Sequence, residues 1–365
     1  MARLDFLFGL LALLLVAIAR GAQTPAPVSS ASPKATAPSP TASMPALIDS
    51  LQPADLQQVI PLLKSNFINP GALSEIELDR ATLEGLLKRL GHGVMLLPDR
   101  AAAPTETASP FYSEVLAGHI GYLRLGTLAI ANLQAMDAAL KNFAGQKVDA
   151  LILDLRASPP TNDFATAAEF AKRFCPKGEK LFVLRKPAAK QERIFSSERD
   201  PSYQGLMMVL TDGETAGAAE ALAAVLRLYE KAIIIGHSTA GRAVEYSDLP
   251  LPSGKILRVA VGEIILPEAK PLFPDGVNPD LAVEMPIAEK RLIFQESMTK
   301  GMSRFVFENE RPHLNEAALL AGTNPELEAI EAAQHARGSE KAALRDPVAQ
   351  RAVDLVTSLA IYEKH

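Results

Sequence analysis

The chain has 365 residues, 48% of them hydrophobic, enough for one large core or two modest ones. Its 37 Lys and Arg against 42 Asp and Glu give a formal charge of -5, without the basic excess that marks a nucleic-acid partner. A single cysteine, Cys175, excludes an intrachain disulfide and a cysteine metal cage; the six histidines show no metal-site spacing, so no cofactor is expected.

Residues 1–22 read as a signal peptide. Arg3 supplies a positive start, Phe6 to Ala19 is an uninterrupted apolar run, and Ala17-Ile18-Ala19 offers a small-x-small cleavage site. The run is short for a membrane span, which needs about 20 residues, so membrane attachment is expected only if the segment stays uncleaved. Residues 23–46 are rich in Ala, Pro, Ser and Thr and read as a disordered linker, unable to bury enough apolar surface to order itself.

Residues 47–97 read as a small helical unit. Leu56, Val59, Ile60 and Leu63 recur at helical spacing, with Pro61 expected to kink that helix. Leu83, Leu86, Leu87 and Leu90 share a second helical face, which Gly91 ends as a left-handed cap. Residues 98–117 read as a linker.

From residue 118 to 286 strands alternate with helices. The expected strands are 120–125, 150–155, 206–210, 232–235 and 256–264; helices are expected near 131–143, 162–173 and 215–229. Ala150–Leu155 and Ala232–Ile235 are short and almost continuously apolar, as in strands covered on both faces. The pattern predicts an α/β core with a mostly parallel sheet. Residues 287–365 read as helical. Asp346-Pro347 opens a helix whose stripe of Val348, Ala352, Leu355, Val356 and Leu359 is expected to pack on the core, a homo-oligomer interface being the alternative.

Several segments fall in one order: G-H-I-G-Y-L-R-L-G-T-L (118–128), K-V-D-A-L-I-L-D-L-R (147–156), L-T-D-G-E-T-A-G-A-A-E (210–220), I-I-I-G-H-S-T-A-G-R-A-V-E-Y (233–246), L-P-L-P-S-G-K-I-L-R-V (249–259) and F-P-D-G-V-N-P-D-L-A-V (273–283). Over roughly residues 50–285 the chain resembles the C-terminal processing, or tail-specific, serine peptidases. The resemblance implies a crotonase-like α/β core behind a small helical unit. It also implies a PDZ domain, yet only about 25 residues separate Gly93 from Gly118, while a domain needs about 50. That module is expected to be missing.

The family resembled uses a serine nucleophile, a neutral lysine base and a glutamine four residues beyond the lysine. Anchoring T-A-G-A-A-E on Glu220 puts the nucleophile position at Gly217. The base position, 25 residues on, is Arg242 in T-A-G-R, and the orienting position is Tyr246. Glycine has no side chain to acylate, and arginine keeps its proton near neutrality. In the family's D-L-R-x-N-P-G-G oxyanion loop this chain has Pro160 and Thr161, and proline has no N–H to donate.

The expectation is therefore an exported, periplasmic or extracellular relative without catalysis, binding a peptide or protein partner in the ancestral groove. Arg242, Glu220 and Thr215 are the candidate peptide contacts, Arg242 through a terminal carboxylate. Thr215 is also expected to cap the helix that follows it. Alternatives are a hydrolase with a relocated nucleophile at Ser238, Thr215 or Ser158, and a structural subunit of an active paralogue.

Overall fold

A computed structural model describes residues 43–98, 109–306 and 344–362. The expected signal peptide lies outside these residues, as do positions 23–42 of the first linker, 99–108 of the second and 307–343 of the C-terminal region. The chain divides into two compact units, one through Leu78 and one from Asp79.

In the first unit, α1 (Met44–Asp49) begins inside the stretch expected to be linker. Helix α2 (Pro53–Asn66) opens on a capping box in which the Gln52 N–H donates to Asp55 Oδ2 at 3.0 Å. It continues through Pro61. Its expected apolar stripe, Leu56, Val59, Ile60 and Leu63, is exposed. Helix α3 (Glu75–Leu90) crosses the division and ends, as expected, at Gly91 with φ 51°.

The second unit holds two sheets. The central one has six strands: β2 (Tyr112–Leu116), β3 (Ile120–Arg124), β4 (Ala150–Asp154), β7 (Leu206–Thr211), β8 (Ile233–Gly236) and β11 (Leu281–Ala282). Their order is β11-β8-β7-β4-β3-β2, and every pairing is parallel except β2 with β3. Strand β2 falls within the expected 98–117 linker, a correction to that reading.

Why the central strands are continuously apolar is visible in their two faces. Leu151, Leu153, Met207 and Val209 meet α4 (Ile130–Gly145), α5 (Phe164–Ala171) and α6 (Ala218–Leu228) in one core. Ala150, Ile152, Met208 and Leu210 meet a second core with Ile293 of α7 (Ile287–Lys300) and Val348, Ala352 and Val356 of α8 (Pro347–Tyr362). Burying each large apolar side chain is worth about 1.5–3 kcal/mol, so both faces of these strands are mostly apolar, with polar Asp154 and Thr211 at strand ends. The stripe expected on α8 does pack on the core, with Leu355 and Leu359 at its partly buried margin.

The second sheet has five strands: β1 (Val94–Leu97), β5 (Lys180–Lys186), β6 (Gln191–Ser196), β9 (Val244–Pro250) and β10 (Ile256–Ile265). Long β10 pairs with β9 along one edge, and with β1 and then β5 along the other, all antiparallel. Among the described residues β9 has no second partner, so its outer edge is open.

Candidate functional site

Strand β7 and helix α6 meet in a tight turn whose geometry comes from Asp212. Asp212 Oδ1 accepts from the N–H groups of Glu214 at 3.0 Å and Thr215 at 3.1 Å, and from the Thr215 hydroxyl at 3.2 Å. Thr215 Oγ1 in turn accepts the Asp212 N–H at 3.1 Å. Thr215 therefore closes the turn and is fully buried; Gly217, not Thr215, is the residue that caps α6. A peptide in the groove would meet neither its hydroxyl nor its methyl.

Gly217 sits at φ 60°, ψ -123°, a conformation that side chains other than glycine's rarely adopt. The strand-to-helix elbow that elsewhere displays a nucleophile is thus present, with no side chain on it. Its space is also filled. The Thr161 carbonyl accepts the Ala218 N–H at 2.8 Å, and Thr161 and Gly217 form a parallel bridge. A Cβ on residue 217 would stand 2.4 Å from the Thr161 oxygen. In such elbows the amide after the nucleophile is one donor of the oxyanion hole. Here that amide is given to the chain's own carbonyl, and Pro160 beside it has no amide to offer. The sequence indicated the lost Gly-Gly amide but not this plug, which depends on how the 157–163 loop folds over α6.

Glu220, in the first turn of α6, is fully buried. Its Oε1 accepts the Thr239 hydroxyl and, at 2.7 Å, the Gly241 N–H; its Oε2 accepts the Arg242 N–H at 2.8 Å. Burial holds this carboxyl above the usual carboxylate range, against the pull of those donors. Glu220 is thus a staple for the 239–242 turn and, like Thr215, not a surface for ligand. Glu220→Ala leaves two backbone donors without acceptors, each worth about 1–3 kcal/mol. A loss of at least about 2 kcal/mol in urea unfolding is expected; a loss near zero would show that the turn holds without it.

Arg242, the residue expected at the base position, is half-buried and lines two cavities. The first, about 400 Å³, lies between the face of the second sheet (Met95, Tyr246, Asp248, Arg258) and the loops at Pro160–Asn162 and Ala216–Gly217. The Tyr246 hydroxyl donates to the His92 carbonyl at 2.9 Å, so it ties β9 to the end of α3 rather than orienting a base. The second cavity, about 420 Å³, is lined by Ser158, Pro159, Pro160, Glu214, Arg242, Lys290, Arg291 and neighbours. Lys290 fills its floor, donating to Asp212, to Glu214 at 2.7 Å and to the Arg156 carbonyl at 3.2 Å. Its donors are engaged, so it ties α7 to the elbow. Sequence spacing gave no sign of it.

Neither of the other candidate hydroxyls, Ser238 and Ser158, hydrogen-bonds to a base. Ser238 Oγ donates to Asn278 Oδ1 at 2.9 Å, while the neighbouring His237 ring faces the Ser238 carbonyl at 3.0 Å. Ser158 Oγ is buried with no protein partner. Cys175 is buried, and burial pushes its thiol up to about 12, which keeps it protonated.

Residues 119–283 match the family model described as peptidase family S41. The core of this chain belongs to that family. A carboxy-terminal-processing protease of Bartonella bacilliformis is 28% identical over 177 residues, 47% of this chain and 41% of its own length. A carboxy-terminal processing protease of Bacillus subtilis is 22% identical over 188 residues, 51% of this chain and 38% of its own. The chain thus spans about two fifths of the curated relatives it matches. Among solved structures, a photosystem II D1 C-terminal processing protease aligns with a TM-score of 0.41 and 24% identity over 49% of each chain. The S41 core runs from just before β3 to β11, so it contains the elbow, the Glu220 staple and Arg242.

Proposed function

We propose that this S41 protein is an exported pseudopeptidase that binds an extended peptide or a partner protein in the ancestral groove. One observation carries the reading: the Thr161 carbonyl holds the Ala218 amide at 2.8 Å and occupies the place of a side chain on residue 217. Nucleophile space and oxyanion donor are closed by the same atom. Arg242 adds to this, since a guanidinium keeps its proton and cannot serve as a general base. The groove itself persists as the cavity of about 400 Å³ beside Gly217. Strand β9 lines it and has an open edge among the described residues, to which an extended chain could add as a further strand.

Export, to the periplasm or the extracellular space, is the reading of Arg3 and the Phe6–Ala19 run. No helix of the described residues is long and apolar enough to cross a membrane. A fluorophosphonate probe tests the catalytic half of the proposal. The native full chain is expected to show no covalent labelling. Labelling that disappears on replacing Ser238, Thr215 or Ser158 would instead establish a hydrolase with a relocated nucleophile.

A further inference from the structure

Five cationic side chains line the two cavities that flank Pro160: Arg156, Arg242, Arg258, Lys290 and Arg291. Four have carboxylate partners. Arg156 meets Asp154 and Asp346, Lys290 meets Asp212 and Glu214, Arg291 meets Glu214 at 2.6 Å, and Arg258 meets Asp248 at 2.7 Å. Among the described residues Arg242 has none. The nearest acid, Glu220, turns its oxygens to the backbone amides of Gly241 and Arg242 and to Thr239. The Arg242 Nε is enclosed without an acceptor. A half-buried guanidinium with no direct carboxylate contact, and with its Nε unsatisfied, is a costly group unless something supplies an acceptor.

A second donor lies on the same wall. Ser158 lines the cavity that also contains Arg242, is only 4% exposed, and its hydroxyl has no protein partner. Buried hydroxyls are ordinarily paired, and an unpaired one weakens the fold. Two unsatisfied buried donors thus belong to residues lining one cavity, and one is cationic, so the acceptor that suits them is negatively charged.

We propose that Arg242 anchors a carboxylate of the ligand where the two cavities adjoin, with Ser158 as the neighbouring hydroxyl donor. The inference rests on reading the groove as a binding site, and it names what is bound there. A guanidinium suits a carboxylate because two N–H bonds can run in parallel to its two oxygens, a geometry an ammonium lacks. The carboxylate has two sources, the C-terminus of a peptide or a free organic acid. The cavity along the face of β9 continues from Arg242, so a chain terminus can seat its acid at Arg242 and its preceding residues beside Tyr246.

The test uses the full chain and four probes: a mixed library of N-acetylated tetrapeptides with free C-termini, the same library C-terminally amidated, acetate and succinate. Binding is read by titration calorimetry and by the shift in thermal midpoint. The free-acid library is expected to bind about tenfold more tightly than the amidated one, the size of one charge-assisted contact. Arg242→Gln is expected to abolish that preference, and Arg242→Lys, which keeps the charge but loses the fork, to reduce it. Ser158→Ala should raise the thermal midpoint of the free protein while weakening the acid library, opposite signs that a purely structural serine would not produce. Succinate or acetate binding as tightly as the peptides would assign the same site to free acids. Equal binding of acid and amide, a preference surviving Arg242→Gln, or no binding by any probe overturns the proposal. Fluorophosphonate labelling would overturn the pseudopeptidase reading alone, so the two failures are distinguishable.

Discussion

Restoring serine at position 217 is expected to yield a less stable protein and no nucleophile. A side chain there must adopt φ 60°, ψ -123°, and its Cβ would stand 2.4 Å from the Thr161 oxygen. The obstacle is backbone, so it cannot swing aside as a side chain would. The 160–161 loop must move, breaking its bond from Ala218. Strained backbone and forced overpacking each cost about 1–3 kcal/mol, so Gly217→Ser should lose about 2–6 kcal/mol in urea unfolding. Gly217→Ala should lose as much, because the Cβ and not the hydroxyl is at fault. Neither variant should react with a fluorophosphonate, since no base replaces Arg242. A stable, labelled Gly217→Ser protein would show that the elbow is still catalytically competent and that the plug yields.

The second large effect is expected at Arg156, whose guanidinium is taken up by two buried carboxylates. Its guanidinium meets Asp154 Oδ2 at 2.7 Å and Asp346 Oδ2 at 2.8 Å, and all three side chains are buried. Asp154 also accepts the Tyr122 hydroxyl at 2.7 Å, and Asp346 Oδ1 caps α8 by accepting the Ala349 N–H at 2.9 Å. The cluster fastens the last described helix to the end of β4. Arg156→Met leaves two buried carboxylates unmatched and should cost about 3–5 kcal/mol in urea unfolding; a cost below about 1 kcal/mol would mean that α8 is held by its apolar stripe alone. The pH dependence has a defined sign. Burial pushes the Asp154 carboxyl up, but the charge and hydrogen bonds of Arg156, with the Tyr122 hydroxyl, outweigh it and hold it below the usual range. A depressed folded pKa contributes stability present above the unfolded value, about 3.9, and lost as pH falls through the folded one. Wild-type stability from this cluster should therefore hold at neutral pH and fall only in acid, while Arg156→Met should lack that acid-sensitive portion.

Legibility in the sequence followed burial. Strands β4, β7 and β8 lie within a residue or two of their expected limits because each is covered on both faces and reads as an apolar run. The second sheet was largely hidden. Strands β5 and β6 carry Lys180, Arg185, Lys186, Gln191 and Glu192 on open positions, which dilutes the alternation that marks a strand. Strand β2 was hidden inside a stretch expected to be linker. Thr215 reads as a cap in the sequence because a hydroxyl three residues before a helix suits either role, and only the Asp212 turn separates them.

The sequence by itself determined that the family core is present and which residues occupy its motifs, because motif order and residue identity are one-dimensional facts. Gly217, Arg242 and Tyr246 could be placed by counting. What surrounds these positions was decided in three dimensions. The Thr161 carbonyl reaches the Ala218 amide from 57 residues away, Asp346 reaches Arg156 from 190, and Lys290 reaches Asp212 from 78. No spacing rule connects such pairs, because they become neighbours only when sheet and helices pack. The same packing leaves the Arg242 Nε and the Ser158 hydroxyl without acceptors, and it is these unmet donors, rather than any motif, that mark where a ligand belongs.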